Sequence, residues 1–147
     1  KVDYFSWAKK PTLQISSGGG IGARENQNVE RTVAQVITLD GKGIAPTMGA
    51  KPLVKIDVEG NEYATFRGIQ EVLALKPDII LETFSQASCD AINEMIEPLG
   101  YSVYHILERD RSLDQREKLK PCTIDRNGNF NQFLTTRFQS DVKTLAS

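Results

Sequence analysis

Four acidic residues have the types and spacing that acid–base chemistry requires. Asp57 stands near the end of the apolar run 53–58, Glu59 and Glu62 follow it, and Glu82 ends a second apolar run. Ligands of open parallel sheets bind at the carboxyl ends of the strands, and neighbouring strands lie about 4.8 Å apart. We therefore expect Asp57 and Glu82 to face one crevice. There, one carboxylate can take a proton from a hydroxyl group, or several can hold Mg²⁺ through oxygen ligands.

Each of these charged residues also has a structural explanation. Acidic side chains such as Glu59 and Glu62 are stabilising near a helix N-terminus, and Asp57 suits the cap of a turn. Lys55 lies mid-strand in a run that we expect to be buried on both faces, where an unpaired charge is costly. Asp57, two residues further on, is the nearest partner for it, and the pair either supports the strand or positions a substrate.

The pattern around the acidic residues predicts an α/β fold. Run 53–58 predicts a strand, helical spacing predicts a helix over 62–76, and run 79–83 predicts a second strand parallel to the first. We expect this helix to bury four apolar side chains: Tyr63, Phe66, Ile69 and Leu73.

The remainder of the chain continues the same alternation. A second helix is predicted over 91–99 with Ser88 as its N-cap, followed by strands at 101–107 and 130–136. The charged segment 108–120 indicates a loop or a short helix. We therefore predict half of a doubly wound sheet, mainly parallel with an antiparallel edge.

The first fifty residues differ from the rest of the chain in their pattern of apolar, polar and glycine residues. Strands are predicted at 1–7, 12–16 and 33–39, and the glycine-rich stretch 18–23 fits G-x-G-x-x-A. A dinucleotide loop needs a buried strand before it and an amphipathic helix after it. A polar run follows instead, so we interpret this stretch as a flexible loop. We expect one partial domain, in which residues 1–51 lead into a βαβαββ core over 52–137 and a tail over 138–147.

Composition narrows the function classes. The 147 residues include 18 basic and 19 acidic side chains, which gives a net charge of −1, with 39% hydrophobic and 25% charged residues. This balance is typical of a soluble domain and argues against a nucleic-acid partner. The apolar runs are far shorter than the ~20 residues of a membrane-spanning helix. Two cysteines and one histidine exclude a disulfide framework and a Cys/His metal cluster, so we expect free thiols and a cytoplasmic location.

The block Lys55-Ile56-Asp57-Val58-Glu59-Gly60-Asn61-Glu62 resembles the FkbM-type methyltransferases, whose hallmark is K-I-D-V-E-G-x-E. Phe66-Arg67-Gly68 and the strand that ends in Glu82 continue the resemblance. Upstream, residues 36–40 resemble the family's strand before a Leu-Asp turn, and Asn131 and Leu134 lie where its closing strand is expected. The resemblance extends over roughly residues 30–137.

This resemblance implies S-adenosylmethionine-dependent O-methylation of a hydroxyl group on a sugar or another small metabolite. It implies a class I, Rossmann-like fold, and in a methyltransferase the strand-end geometry described above would make Asp57 and Glu82 the chemical centre. Glu59, Glu62 and Lys55 would support that centre or bind the substrate. Mg²⁺ is a further cofactor candidate, and the sequence points to no dedicated metal ligands.

Family members bind S-adenosylmethionine through a glycine-rich turn and an acidic residue on the following strand. The sequence before Lys55 supplies neither of these features. The chain therefore resembles the C-terminal half of the domain. We expect it to bind S-adenosylmethionine weakly or not at all, to be inactive alone, and to self-associate through the surface left by the other half. The alternative is a non-catalytic interaction or assembly module that has lost the cofactor-binding half.

Overall fold

The computed structural model describes residues 2–7, 29–34, 37–48, 51–123, 130–138 and 140–142. Strands β1 (Val2–Trp7) and β2 (Val29–Ala34) form an antiparallel pair. The first of these strands was predicted. The predicted strand 33–39 is wrong over residues 37–39, which lie outside any strand, and residues 35 and 36 are outside the described residues. The glycine-rich stretch 18–23, the predicted strand 12–16 and the tail beyond residue 142 lie outside the described residues.

Between residues 51 and 135, the described part of the chain contains five strands and three α-helices. The strands are β3 (Leu53–Ile56), β4 (Asp78–Glu82), β5 (Ser102–Leu107), β6 (Ser112–Arg116) and β7 (Asn131–Thr135). The helices are α1 (Glu62–Arg67), α2 (Gln70–Ala74) and α3 (Gln86–Ile96). Short 3-10 helices lie at Asp40–Lys42, Ala45–Thr47 and Glu97–Leu99. The α/β class is confirmed.

The five strands form one sheet in the order β3-β4-β7-β5-β6. Strands β3 and β4 pair in parallel, as predicted, whereas the other three pairings are antiparallel. The expectation of a mainly parallel, Rossmann-like sheet is therefore not confirmed. The physical reason is the position of β7, which runs between β4 and β5 in the opposite direction. Strands β3, β4 and β5 do share one direction, because a helical crossover precedes each return to the sheet.

Strand β6 corrects the prediction of a loop or short helix over 108–120. The chain turns at residues 108–111, where Arg111 takes a positive φ of 50°, and returns along β5 as the edge of the sheet. Polar and charged side chains are tolerated at such an edge, because they face solvent and discourage pairing with other chains. The prediction missed this strand because the segment is rich in charged residues.

The predicted helix over 62–76 is broken into α1 and α2. The break lies at Gly68 and Ile69, where the carboxylate of Asp40 accepts hydrogen bonds from the backbone N–H groups of Gln70 (2.6 Å) and Glu71 (3.1 Å). A side chain from the 3-10 helix Asp40–Lys42, distant along the chain, thus caps a new helix start. Of the four predicted core residues, Phe66, Ile69 and Leu73 are buried, but Tyr63 is 39% exposed.

We expect Asp40→Ala to lower the free energy of unfolding by about 0.5–2 kcal/mol, because two N–H groups at the start of α2 lose their acceptor. Asp40→Asn keeps an acceptor oxygen and should lose less than Asp40→Ala. Urea unfolding of the three proteins measures the difference. Equal stability of Asp40→Ala and the wild type would show that α2 needs no cap.

Helix α3 begins earlier than predicted. The hydroxyl of Ser85, not Ser88, caps it by accepting a hydrogen bond from the Ser88 N–H (3.3 Å). Pro98 lies in the following 3-10 helix, and Gly100 ends it with a φ of 77°.

The helices cover one face of the sheet and form the main core. The largest fully buried apolar side chains there are Phe66, Ile56, Leu73, Ile79, Leu81, Ile92, Leu119, Leu134 and Val72. On the opposite face, Tyr104 and Phe133 are buried together with Val142, whereas Leu53 is 65% exposed. Within the described residues, no helix is long and apolar enough to cross a membrane.

Candidate functional site

The carboxyl ends of β3 and β4 bring Asp57 and Glu82 to the same edge of the sheet. Ile56 pairs with Leu81 in the parallel register, and the next residues along the chain are Asp57, directly after β3, and Glu82, the last residue of β4. This is the neighbourhood that the strand ends predict. Asp57 is exposed and Glu82 is half-buried, so both side chains are accessible to solvent.

Glu82 is surrounded by like charges. Partial burial raises the pKa of its carboxyl group above the usual glutamate value, and the carboxylates of Asp57, Glu59 and Glu108 raise it further. The Lys55 ammonium opposes this effect and is the one neighbouring cation among these causes. Glu82 therefore keeps its proton to a higher pH than an ordinary glutamate.

Lys55 connects the ends of two strands, β3 and β7. Its Nζ lies 3.4 Å from Asp57 Oδ2 and donates a hydrogen bond to Asn131 Oδ1 at 2.8 Å. The predicted pair of Lys55 and Asp57 is thus present, but the expected burial of Lys55 is wrong, because its side chain is 47% exposed. Strand β3 lies at the edge of the five-stranded sheet, and Lys55 extends over the face that the helices leave uncovered.

Two further residues join the site through β7 and the turn after β5. Asn131 faces Glu82 across the β4–β7 pairing, and its Nδ2 donates to Glu108 Oε1 at 2.6 Å. In the sequence, Asn131 was noted only because it lies where the closing strand of the family is expected, and nothing pointed to Glu108. The insertion of β7 beside β4 is what brings both residues to this edge.

Glu62 is buried at the start of α1 and is not exposed at this edge. Its side chain is only 2% exposed, and Oε1 accepts a hydrogen bond from the backbone N–H of Gly60 at 2.7 Å. Glu59 and Gly60 take positive φ values of 50° and 98°, so this contact holds a left-handed turn that leads out of β3. Glu62 Oε2 is buried and has no hydrogen-bond partner within the described residues. This position favours a supporting role for Glu62, through the turn, over contact with a substrate.

The two cysteines of the chain add no activated group to the site. Cys89 and Cys122 are buried free thiols, and burial raises the pKa of Cys89 to about 11 and also raises that of Cys122. Neither thiol is activated as a nucleophile, since the thiolate is the reactive form. Within the described residues, no group of three or more His, Cys, Asp or Glu side chains is arranged to hold a metal ion. The Mg²⁺ alternative thus gains no support.

Comparison with known proteins gives one match. Neither the curated proteins nor the solved structures contain a match to this chain. A family model described as the methyltransferase FkbM domain matches residues 3–103, which include the 55–62 block, Glu82 and all three α-helices. The matched part is more than half of the chain and contains the pair of strand ends that carries Asp57 and Glu82. The chain therefore belongs to the FkbM methyltransferase domain family.

Proposed function

We propose that this protein takes part in S-adenosylmethionine-dependent O-methylation, with a hydroxyl group of a sugar or another small molecule as the acceptor. The observation that carries the proposal is the pair Asp57 and Glu82, at the ends of neighbouring parallel strands within a methyltransferase-family domain. A hydroxyl oxygen placed between two such carboxylates can lose its proton as it takes the methyl group.

The charge of this edge fits the methyl donor. Four carboxylates, those of Asp57, Glu59, Glu82 and Glu108, act together electrostatically, and Lys55 is the cation among them. S-adenosylmethionine, when bound, supplies a methyl group on a positively charged sulfur atom. A net negative edge attracts such a cation and offers the acceptor a base.

We assign the proton transfer to Asp57 and the orientation of the acceptor to Glu82. Lys55, 3.4 Å from Asp57, holds that carboxylate toward the edge. Glu82 faces the same space and, when protonated, can donate a hydrogen bond to the acceptor oxygen. Glu62 supports both residues by fixing the turn at Gly60.

The test is transfer of a labelled methyl group from S-adenosylmethionine to a panel of sugars and small hydroxyl compounds. The complete protein that carries these residues should label at least one of them, and the label should be recovered as a methyl ether. Failure with every acceptor, despite S-adenosylmethionine binding, would overturn the proposed reaction. The 147-residue chain, assayed in parallel, shows whether these residues suffice for donor binding.

The melting temperature of Glu82→Gln should depend on pH differently from that of the wild type, because Glu82 lies among other carboxylates. The folded-state pKa of Glu82 is raised, so ionisation of Glu82 opposes folding as pH rises through that pKa. We therefore expect the melting temperature of Glu82→Gln to increase, relative to wild type, from pH 4 to pH 8. Glu94→Gln, at an exposed position on α3, is the control and should show no such trend. A constant difference between Glu82→Gln and wild type would contradict the raised pKa of Glu82.

The second candidate function is that of an interaction or assembly module. The observation that favours it is the sheet face opposite the helices, where Leu53 is 65% exposed and Ile80, Ile106 and Leu113 are only partly buried. Apolar surface of this kind is typical of association sites. Light scattering over a range of concentrations tests self-association, and a monomer at all of them would contradict it.

We also propose a cytoplasmic location, which the two free thiols support.

A further inference from the structure

Asn131 joins a cation and an anion within the candidate site. Its Oδ1 accepts a hydrogen bond from Lys55 Nζ at 2.8 Å, and its Nδ2 donates to Glu108 Oε1 at 2.6 Å. Strand β4 lies between β3 and β7, so the lysine crosses β4 to reach this amide. The result is a chain of contacts from Asp57 through Lys55 and Asn131 to Glu108.

We propose that Asn131 is a positioning residue of the candidate methyl-transfer site. Its amide holds the Lys55 ammonium against Asp57 and keeps the Glu108 carboxylate apart from that ammonium. This inference rests on the proposed function. Asn131 acts through Lys55 and Glu108 and is not itself assigned a contact with the reacting atoms.

The chemistry of the amide explains why this position suits asparagine. An amide offers an acceptor and a donor on one short, uncharged side chain. An aspartate here would attract Lys55 but repel Glu108, and an apolar side chain would hold neither. Lysine loses much rotamer freedom when it is fixed, so an exposed ammonium stays in one place only if partners hold it there. Asn131 supplies one partner and Asp57 the other.

Three variants separate positioning from a merely structural role. Asn131→Leu removes both contacts at similar size, and Asn131→Asp keeps the acceptor for Lys55 but removes the donor to Glu108. Asn93→Leu is the matched control, because the Asn93 amide also bridges two partners, the N–H and C=O of Leu119 in the loop that packs on α3.

The first measurement is independent of methyl transfer. A ¹⁵N spectrum of the complete protein, with labelled lysine, follows hydrogen exchange at the Lys55 ammonium. We expect a slowly exchanging Lys55 signal in the wild type, Asn131→Asp and Asn93→Leu, and its loss in Asn131→Leu.

The second measurement is the pH profile of methyl transfer. Asn131→Leu should lower kcat about tenfold or more with little change in KM, since small displacements of positioned groups have effects of this size. Asn131→Asp should recover most of that rate at high pH. The pH profile of Asn131→Asp should shift to higher pH. The new carboxylate would face Glu82 and add to the negative charge of Asp57, Glu59 and Glu108, which Lys55 opposes.

A wild-type Lys55 signal and pH profile in Asn131→Leu would overturn the positioning role, as would the same changes in Asn93→Leu. A wild-type protein that transfers no methyl group would overturn the proposed function alone. The Lys55 signal would still decide whether Asn131 positions the ammonium.

Discussion

The Asp57→Asn variant of the complete protein should lose methyl transfer by ~10²–10⁴-fold, the usual effect of removing a general base. Asparagine has the shape of aspartate and can still cap a turn, but it cannot take a proton. Because Asp57 is exposed, with Lys55 as its ion-pair partner at 3.4 Å, its loss should leave the melting temperature nearly unchanged. Rate and melting temperature are measured on the same preparation.

The control for this prediction is Glu59→Gln. Glu59 belongs to the same group of carboxylates but lies exposed in the turn after β3. We expect a much smaller loss of rate there, since only the local charge changes. Wild-type turnover in Asp57→Asn would show that Asp57 is structural, and the role of the base would then pass to Glu82.

The largest expected effect on stability is that of Asp78→Ala. The Asp78 carboxylate is 8% exposed, accepts hydrogen bonds from Thr135 Oγ1 and Arg137 Nε at 2.6 Å each, and lies 3.6 Å from Lys51 Nζ. Removing one partner of a buried ion pair costs about 3–5 kcal/mol. We expect ~3 kcal/mol, near the low end of that range, because the two cations can turn toward solvent while the buried Thr135 hydroxyl cannot.

Asp114→Ala provides a matched comparison. Its ion pair with Arg116 has nearly the same length, 2.7 Å, but the Asp114 side chain is 47% exposed. Exposed pairs contribute about 0.2–1 kcal/mol, so urea unfolding should separate the two alanine variants clearly. Similar losses in both would mean that burial does not determine the strength of the Asp78 network.

The local part of the fold could be predicted because its signals are local. Two apolar runs separated by helical spacing gave β3, β4 and their parallel pairing. The break in the helix could not be predicted, because the capping Asp40 is thirty residues away from Gln70 along the chain. Strand β6 was missed for a different reason, since an edge strand need not alternate apolar and polar residues.

The same distinction applies to the candidate site. Asp57 and Glu82 follow from the rule that parallel strands end at one edge, and the partner of Lys55 follows from its spacing to Asp57. Asn131 and Glu108 depend on which strand lies beside β4, and hydrophobic periodicity carries no information about strand order. Lys55 was expected to be buried because its run is apolar, yet β3 leaves one face open.

The placement of β7 has a consequence for the order of folding. β7 is the middle strand of the five and the last of them to leave the ribosome. Until Thr135 has been synthesised, β3–β4 and β5–β6 are two separate ladders, each with an unsatisfied edge. Non-local closure of this kind slows folding and leaves strand edges open to aggregation. A nascent or truncated chain that ends before Asn131 should thus need chaperone protection that the finished chain does not.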